Sequence, residues 1–369
     1  MKEYSQSKAL FHLDKLDSLQ KGNPISPTEI QVDLEGFCND NCNFCSYRKE
    51  DAYNNTMLTL IGAEPGKEYH DSKPIGKPTP DSSWSADMAV KLPLQMVEAG
   101  IPAIEITGGG ESTLWSHFDE LIENLGKAGR EIALVTNGSN LSDKRIDLLC
   151  KYCLWIRISM DASNAITHKK IHRTQNYDFE RRIENIKKLI KYKPKELILG
   201  ISFIINPENY SDIEDSARFY QKLGVNNIRF SWLYDSTGTA GLTVPQIDEA
   251  KILMNRLSKE LSNESFGMTY QGDRTDLYTK PNTDFKTCHI QRFVWAIGAD
   301  MKIYPCCIQK YHPDYAFGSL KENTLKELID KMNNSMTDLD PKRCFPCWLR
   351  HKNQAIEQSI EKPLHHNFV

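Results

Sequence analysis

The segment FCNDNCNFCSY carries three cysteines whose spacing is typical of a metal site. Cys38, Cys42 and Cys45 follow the pattern C-x3-C-x2-C. Three thiolates on one tight loop suit a cubane iron–sulfur cluster that leaves one iron open to a ligand that is not protein. Zinc is the alternative, but it usually takes four protein ligands, and His70, the nearest downstream histidine, is too far for a usual zinc knuckle. Three unrelated core cysteines are the other alternative, although buried cysteines rarely crowd one polar loop.

A second group of cysteines lies between residues 288 and 347. Cys288 and Cys306 bracket a predicted β-hairpin, and Cys344 and Cys347 form CFPC just after a predicted helix. We expect the hairpin and the helix to bring these two pairs together, which gives four thiolates and makes a structural zinc ion one alternative. Three roles are open for Cys307: it replaces Cys306 as a ligand, it donates a hydrogen atom, or it packs. We favour packing, because neighbouring side chains in CC point apart.

The elements that must position these cysteines alternate between strands and helices. Six apolar runs are predicted strands, at 30–34, 103–107, 131–136, 154–160, 197–205 and 227–233. Amphipathic runs predict helices at 86–99, 117–129, 179–192, 212–224 and 246–262. This alternation implies a parallel sheet with right-handed crossovers, either doubly wound or closed toward a barrel. Because the first cysteine segment directly follows the first strand, it lies at the carboxyl end of the strands, where the active sites of such folds gather.

Two regions interrupt the alternation. Residues 46–84 are polar and rich in Gly, Pro and Asp, and a loop of that length is typical of a functional segment such as a lid. After about residue 270 the pattern predicts a β-hairpin over 292–305 and then a helix over 324–334. We therefore predict four regions: an N-terminal extension (1–29), an α/β region (30–240), a helical linker (241–285) and a small hairpin-and-helix domain (286–369).

Composition excludes several classes of protein. The formal net charge is −3, so no overall basic field favours nucleic acid, and basic runs such as HKKIHR are predicted to be solvated helix faces. No stretch has the length of a transmembrane helix, and the first residues lack the apolar core of a signal peptide, which together predict a cytoplasmic location. Ten cysteines then favour metal over disulfides. Cys150 and Cys153, at helix spacing, are predicted core residues.

The first cysteine motif, with the aromatic Phe44 before its last cysteine, resembles the cluster motif of the radical S-adenosylmethionine (SAM) superfamily. The resemblance implies an α/β fold, a partial (βα)6 TIM-type barrel, in which the amino and carboxylate groups of SAM chelate the open iron. The cofactor would then be the missing fourth ligand. Matching motifs extend over roughly residues 30–235.

Further motifs at strand ends match the SAM contacts of this superfamily: TGGGE, TNG, SMD and ITHKKIHR. The cofactor-binding residues that the resemblance implies are Phe44, Gly109, Gly110, Glu111, Asn137, Ser159, Asp161 and Arg173. Glycines let backbone approach a ligand closely, and a planar guanidinium suits the SAM carboxylate. An ordinary strand-to-helix turn and a surface arginine are the alternatives for the glycine motif and for Arg173.

The second cysteine group, C-x17-C…C-x2-C, resembles the twitch domain, a shortened form of the SPASM domain that holds auxiliary [4Fe–4S] clusters. The resemblance implies one auxiliary cluster, and too few cysteines are present for two. Its implied ligands are Cys288, Cys306, Cys344 and Cys347. With the cluster on Cys38, Cys42 and Cys45, the implied cofactors are two [4Fe–4S] clusters and SAM.

The implied function is an oxidoreductase-type radical SAM enzyme. It would cleave SAM reductively and abstract a hydrogen atom from a small-molecule or nucleotide-like substrate, with the auxiliary cluster as electron acceptor. An external donor such as flavodoxin or ferredoxin would supply the first electron. Arg229, Trp232 and Tyr234, in or just after the sixth strand, are the predicted substrate contacts.

Two other functions remain open. One is a peptide-modifying enzyme, such as an epimerase or a cross-linking enzyme, and the other is a non-catalytic iron–sulfur scaffold. The intact SAM motifs speak against the scaffold. Some 29 residues precede the first strand, too few for an added peptide-recognition domain of about 80 residues, which favours a small substrate. The chain ends HHNFV and not in the Gly-Gly tail of the molybdopterin-pathway cyclase, which speaks against that activity.

Overall fold

A computed structural model describes residues 7–45, 47, 83–174, 177–233, 241–270, 285–311, 315–335, 347 and 349–361. The helices are α1 (Leu13–Gln20), α2 (Met88–Glu98), α3 (Phe118–Lys127), α4 (Asp143–Tyr152), α5 (Ala165–His172), α6 (Asp178–Tyr192), α7 (Ile213–Leu223), α8 (Val244–Leu261), α9 (Leu325–Ser335) and α10 (Arg350–Ile360). The strands are β1 (Glu29–Val32), β2 (Ala103–Ile106), β3 (Glu131–Thr136), β4 (Cys153–Ser159), β5 (Ile198–Ile205), β6 (Asn227–Trp232), β7 (Gly267–Tyr270), β8 (Val294–Ile297), β9 (Lys302–Tyr304) and β10 (Gly318–Ser319).

The strands form one sheet in the order β10-β9-β8-β1-β2-β3-β4-β5-β6-β7. Strands β1 to β7 pair in parallel with their neighbours, as crossover helices require. Strands β1 to β6 are the six predicted strands, and each begins and ends within two residues of its predicted bounds. The α/β fold with a partial barrel is thereby confirmed. Strands β7 and β10 and helices α1, α4 and α10 were not among the predicted elements, because their short segments carry little periodic signal.

The predicted hairpin is confirmed and continues the barrel sheet. Strands β8 and β9 pair antiparallel around a turn in which Gly298 donates its amide to the Lys302 carbonyl at 3.0 Å. Strand β8 also pairs in parallel with β1, from Glu29 opposite Val294 to Val32 opposite Ile297. The C-terminal hairpin and the barrel therefore share one hydrogen-bonded sheet, and the predicted domain bounds remain a prediction.

Alternation along the strands separates two faces. On β6, Ile228, Phe230 and Trp232 belong to the main hydrophobic core with residues of the surrounding helices, whereas Arg229 and Ser231 point to the other side. The same alternation recurs on β1, β2 and β4. The inner faces of these strands and of β6 therefore carry polar side chains, and the carboxyl end of this face can hold a polar ligand.

Two predictions about other parts of the chain can be compared with the structure. Cys153 is buried at the start of β4 and Cys150 packs against the core from α4, as predicted. Most of the 46–84 segment lies outside the described residues, so its role as a lid remains a prediction. Within the described ranges, no helix is long and apolar enough to cross a membrane.

Candidate active site

The three-cysteine loop lies at the carboxyl end of β1, as the sequence predicts. Cys38, Cys42 and Cys45 are all half-buried and none forms a disulfide. The backbone amide of Asp40 donates to Cys38 Sγ at 3.4 Å, an interaction that favours thiolate. Burial nevertheless raises the pKa of Cys38 to about 12, and a bound cation would favour loss of this proton. Three soft sulfur donors on one loop fit an iron–sulfur cluster with an open position.

Helix α5, which is distant from this loop in the sequence, packs against it. The amide of Asn41 donates to the His172 carbonyl at 3.0 Å, and the amide of Asn43 donates to the Ile171 carbonyl at 2.9 Å. These two hydrogen bonds join the loop after β1 to the last turn of a helix that follows β4. The loop is therefore fixed by backbone contacts that its own sequence does not reveal.

His172 is a site residue that the sequence did not reveal. Its Nδ1 lies 3.4 Å from Cys42 Sγ and 3.1 Å from Asp40 Oδ2, while its Nε2 lies 3.1 Å from Asp161 Oδ2. Burial by itself lowers the pKa of His172, but attraction to Cys42, Asp161 and Asp40 raises it well above the usual range. Ligand atoms of Asp40, Cys42 and His172 lie within 4.8 Å of one another, so the zinc alternative does have a nearby histidine.

Arg182 completes the buried charge network under the loop. It donates to Asp40 Oδ2 at 2.9 Å, to Asp40 Oδ1 at 2.5 Å and to Asp178 Oδ2 at 3.0 Å. The side chain of Arg182 has no exposed area and that of Asp40 is 2% exposed. Burial alone would raise the pKa of Asp40, but His172 and Arg182 hold it well below the usual range. The carboxylate is therefore ionised and tethers the loop to α6.

The glycine motif after β2 packs directly on the three-cysteine loop. Gly110 donates its amide to the Glu35 carbonyl at 2.7 Å, and Glu111 donates to the Phe37 carbonyl at 2.8 Å. A Cβ at Gly110 would lie 1.9 Å from the Phe37 carbonyl oxygen, which no side chain can tolerate. The close backbone approach expected of this motif is therefore present, and its partner among the described residues is the loop itself.

Glu111 joins the ends of β2 and β3. Its Oε1 accepts hydrogen bonds from the amide and hydroxyl of Thr113 at 3.2 and 2.7 Å and from the hydroxyl of Thr136 at 2.6 Å. Its Oε2 accepts the amide of Asn137 at 2.7 Å, and the Asn137 side chain in turn donates to Asn39 at 2.8 Å. Glu111 is 3% exposed, so its contact with SAM remains a prediction beside a clear positioning role.

The other predicted cofactor contacts differ in their exposure to solvent. Phe44 and Ser159 are half-buried, and Arg173 is exposed in left-handed conformation at the end of α5. Asp161 is buried, also with a left-handed backbone, and accepts the amide of Ile204 at 2.5 Å. These residues lie at the same end of the sheet as the cysteine loop, and their contacts with SAM remain predictions.

Only some of the predicted substrate contacts can lie on the inner face of the barrel. Ser159 on β4, Ser202 on β5 and Arg229 on β6 are direct register partners, which puts them side by side on the inner face. Two strand spacings separate Ser159 from Arg229, a distance of about 10 Å between backbones. Trp232 lies on the opposite face in the hydrophobic core, because it alternates with Arg229, so a contact with a ligand inside the barrel does not fit its position. Tyr234 lies outside the described residues.

A buried ion pair links the barrel to the second cysteine region. Lys310 Nζ lies 2.6 Å from Asp33 Oδ2, directly after β1, and 3.4 Å from the Gly108 carbonyl oxygen. Tyr311 donates its hydroxyl to the same Asp33 oxygen at 2.7 Å and accepts the amide of Ala299 at 2.9 Å. Burial alone would lower the pKa of Lys310, but the attraction of Asp33 raises it, so the ammonium is charged.

The surroundings of this ion pair are crowded with site residues. Lys310 Nζ lies 5.5 Å from the ring centroid of Tyr47, two residues after the last cysteine of the loop. A Cβ at Gly109 would lie 3.0 Å from Asp33 and from Tyr311. Asp33 Oδ1 is buried without a hydrogen-bond partner among the described residues. Asp33 directly follows strand β1, just as other predicted site residues lie at the ends of strands. The sequence IQKYHP contains no motif that identifies Lys310 as a site residue.

The described part of the second cysteine group divides into two hydrophobic clusters. Cys306 and Cys347 share a small cluster with Ile308, against which Cys307 packs. Cys288 is buried in a neighbouring cluster with residues from α1 and α10. Cys344 lies outside the described residues. Buried soft sulfur donors without a disulfide fit an iron–sulfur site, and the complete ligand set remains a prediction.

Comparison with known families agrees with this geometry. The family model of the radical SAM superfamily matches residues 34–220, just over half of the 369-residue chain. The SPASM model, an iron–sulfur cluster-binding domain, matches residues 288–348. Together these domains imply a [4Fe–4S] cluster that binds SAM and auxiliary iron–sulfur binding in the C-terminal region.

Curated relatives share a quarter or slightly more of the aligned residues. A GTP 3′,8-cyclase of Aquifex aeolicus is 25% identical over 325 residues, 84% of this chain and 91% of that protein. An S-adenosylmethionine-dependent nucleotide dehydratase of Flammeovirga pacifica is 29% identical over 161 residues, 44% of this chain and 47% of that protein. The chain thus spans less than half the length of the dehydratase.

Solved structures with the same fold include one whose title names a bound precursor peptide and one whose title names bound SAM. Streptococcus suis SuiB bound to the precursor peptide SuiA has a TM-score of 0.60 at 15% identity, covering 93% of this chain and 75% of that chain. The enzyme anSMEcpe with bound SAM has a TM-score of 0.54 at 14% identity, covering 90% of this chain and 96% of that chain. At such identities the likeness shows the fold alone. From the family match, the chain belongs to the radical SAM superfamily and carries a C-terminal SPASM-type iron–sulfur cluster-binding domain.

Proposed function

We propose that the chain is a radical SAM enzyme that oxidises a small-molecule or nucleotide-like substrate. Cys38, Cys42 and Cys45 would hold the cluster that binds SAM. The auxiliary [4Fe–4S] cluster would be held by Cys288, Cys306, Cys344 and Cys347. When bound, these groups supply a carbon-centred radical that removes a hydrogen atom from the substrate and an acceptor for the electron that remains.

One observation carries the proposal: the segment of the second cysteine group meets the barrel at its carboxyl end. Lys310 follows Cys306 and Cys307 by a few residues and is paired with Asp33 at the end of β1. The same ammonium lies beside the Gly108 carbonyl and the Tyr47 ring, next to the three-cysteine loop. The segment that follows Cys306 and Cys307 is therefore anchored at the barrel mouth. We propose that the auxiliary cluster is close enough to the barrel to oxidise a substrate radical.

The residues of the chain supply orientation and exclusion of water. Glu111 and Asn137 fix the ends of β2 and β3, and the Asp40–His172–Asp161 network fixes the cysteine loop against α5. Preorganised polar groups of this kind hold reactants without reorganisation during the reaction. Substrate binding would fall to the inner face of β5 and β6, where Arg229 lies beside Ser202.

A nucleotide-like substrate is supported by two lines of argument. Two of the curated relatives have names that state action on nucleotides, a dehydratase and a GTP cyclase. On the inner face, Arg157 and Arg229 carry guanidinium groups on β4 and β6, and guanidinium groups are the preferred protein partners of phosphate.

The test is anaerobic incubation of the reconstituted protein with SAM, dithionite and separate panels of nucleotides and short peptides. We expect 5′-deoxyadenosine to form together with a nucleotide product that has lost two hydrogen atoms, detected by mass spectrometry. Deuterium at the reacting carbon should appear in 5′-deoxyadenosine. A peptide product would replace the small-molecule proposal with peptide modification, and a product of unchanged mass would replace oxidation with a redox-neutral reaction. A complete lack of 5′-deoxyadenosine would contradict the proposed function.

A further inference from the structure

Helix α5 presents two chemically different faces. Its buried face contacts the three-cysteine loop through His172, whose ring also stacks on His168 with centroids 4.4 Å apart. Its outer face carries Ile166, Lys169 and Lys170, which are all exposed and are spaced i, i+3 and i+4, so they form one stripe. The sequence predicted an ordinary solvated helix face here, but this helix is also the one that packs against the three-cysteine loop.

The outer surface continues from α5 onto the start of α6. Exposed Arg173 ends α5, and Tyr177, 82% exposed, precedes α6. Between the two helices lies a recess of about 310 Å³ lined in part by His168, Lys169 and Tyr177. We name this region the α5 surface and define it as Ile166, Lys169, Lys170 and Tyr177.

The charge of the α5 surface contrasts with that of the whole chain. The chain has a net charge of −3, whereas the α5 surface contains two cations and no carboxylate. Two acidic residues border the recess: exposed Glu180, and Asp178, whose charge is balanced by Arg181 and Arg182. The exposed apolar groups are an isoleucine, 85% exposed, and a tyrosine. An exposed isoleucine and an exposed tyrosine beside two cations form a mixed apolar and charged surface, and tyrosine is enriched in protein interfaces.

We infer that the α5 surface is the docking site of a small acidic one-electron carrier protein of the flavodoxin type. The inference rests on the proposed function, because it names the partner that delivers the first electron. One electron would leave the reduced carrier and enter the cluster that Cys38, Cys42 and Cys45 hold, without bond formation or proton transfer. A helix with its side chains is about 10–12 Å across, so a carrier seated on α5 is separated from Cys42 by little more than one helix.

The test measures binding first. The probe is an oxidised flavodoxin, titrated calorimetrically into the reconstituted protein at low salt. The variant Lys169→Glu/Lys170→Glu reverses two charges of the α5 surface and should weaken binding at least about tenfold, because complementary charge drives such encounters. The matched control is Lys187→Glu/Lys188→Glu on α6, which makes the same change in charge. Lys188 pairs with Asp143 of α4, so this control lies on the side of α6 that faces α4. It should change binding less than about twofold.

Activity with two reductants separates this inference from the proposed function. Dithionite is a small anion that needs no docking site, so the α5 variant should form 5′-deoxyadenosine at the native rate with dithionite and much more slowly with reduced flavodoxin. Any of three results would overturn the docking site. The α5 variant could bind flavodoxin as well as the native protein does, both double variants could lose binding equally, or the native protein could fail to bind. Failure with both reductants in the native protein would instead contradict the proposed function. Thermal unfolding checks that each variant folds, and Lys169→Gln/Lys170→Gln replaces a variant that does not.

Discussion

The two cysteine regions are held in different ways. The loop with Cys38, Cys42 and Cys45 is fixed by polar groups from the ends of β2, β3 and β4 and by the buried Asp40–Arg182 pair. The C-terminal cysteines that the structure describes sit in small hydrophobic clusters and reach the barrel through β8 and through Lys310. The first arrangement fixes ligand directions, whereas the second mainly fixes where the segment lies. We therefore expect substitutions under the first loop to disturb one metal site locally and substitutions at Lys310 to loosen the contact between the two regions.

The largest loss of stability is expected for Arg182→Met, because it removes the buried cation that Asp40 and Asp178 share and leaves Asp40 with His172 and Asp178 with the exposed Arg181. We expect the free energy of unfolding of the metal-free protein to fall by about 3–5 kcal/mol, measured by urea denaturation. Arg181→Met is the matched control, since the Arg181 side chain is 52% exposed, and it should cost less than about 1 kcal/mol. Equal effects of the two substitutions would contradict the network described for the first loop.

A smaller loss is expected for Lys310→Met. Asp33 keeps its hydrogen bond from Tyr311, so the loss of unfolding free energy should be about 2–3 kcal/mol. The double variant Asp33→Asn/Lys310→Met removes both charges and should recover part of that loss, as a double-mutant cycle would show. Additive losses would mean that the two side chains do not stabilise the contact between barrel and C-terminal segment as a pair.

The glycine motif gives a prediction specific to the first loop. Gly110→Ala places a methyl group against the Phe37 carbonyl and should cost about 2 kcal/mol while lowering iron uptake at the first site. Gly108→Ala is the control, because among the described residues its Cβ would meet only the Gly110 carbonyl oxygen, at 3.7 Å. Iron analysis and urea denaturation of the two variants should differ; equal iron content in both would show that the close approach at Gly110 does not position the cysteine loop.

The smallest expected effect concerns Glu29 at the start of β1. Burial, and then repulsion from Glu105, raises the pKa of Glu29 from 4.5 to about 7. The unfolded chain therefore ionises first, and stability is lost as the pH rises from about 4.5 to 7. Glu29→Gln should be more stable than the native protein by about 1 kcal/mol at pH 8, where the native carboxylate is charged, and no different at pH 4, where it is neutral. The gain in stability is small because the side chain is only partly buried. Unfolding curves at the two pH values test this, and a gain at pH 4 would contradict the assignment.

The sequence predicted the parts of the site that depend on local spacing. Six strands, the loop after β1 and the glycine motif after β2 were all placed correctly, because each has its own periodic or motif signal. His172, Arg182 and Lys310 were missed, since their partners Cys42, Asp40 and Asp33 lie far away in the chain. Only the folded sheet brings them together.

The two faces of β6 were not distinguished in the prediction of substrate contacts. Arg229 and Trp232 were predicted to act together, but a separation of three residues along a strand places them on opposite faces. Trp232 packs in the hydrophobic core, and Arg229 lies on the inner face. Alternation along β6 alone would have separated the two.

The most direct test of the central claim is Cys347→Ala, with 5′-deoxyadenosine and oxidised substrate measured separately under anaerobic conditions. If the auxiliary cluster only accepts an electron after hydrogen abstraction, this variant should still cleave SAM while product falls at least about tenfold. Iron analysis should show loss at the second site alone, and unfolding curves establish that the barrel remains folded. Native product formation by a variant that has lost the auxiliary iron would contradict the division of labour between the two cysteine regions.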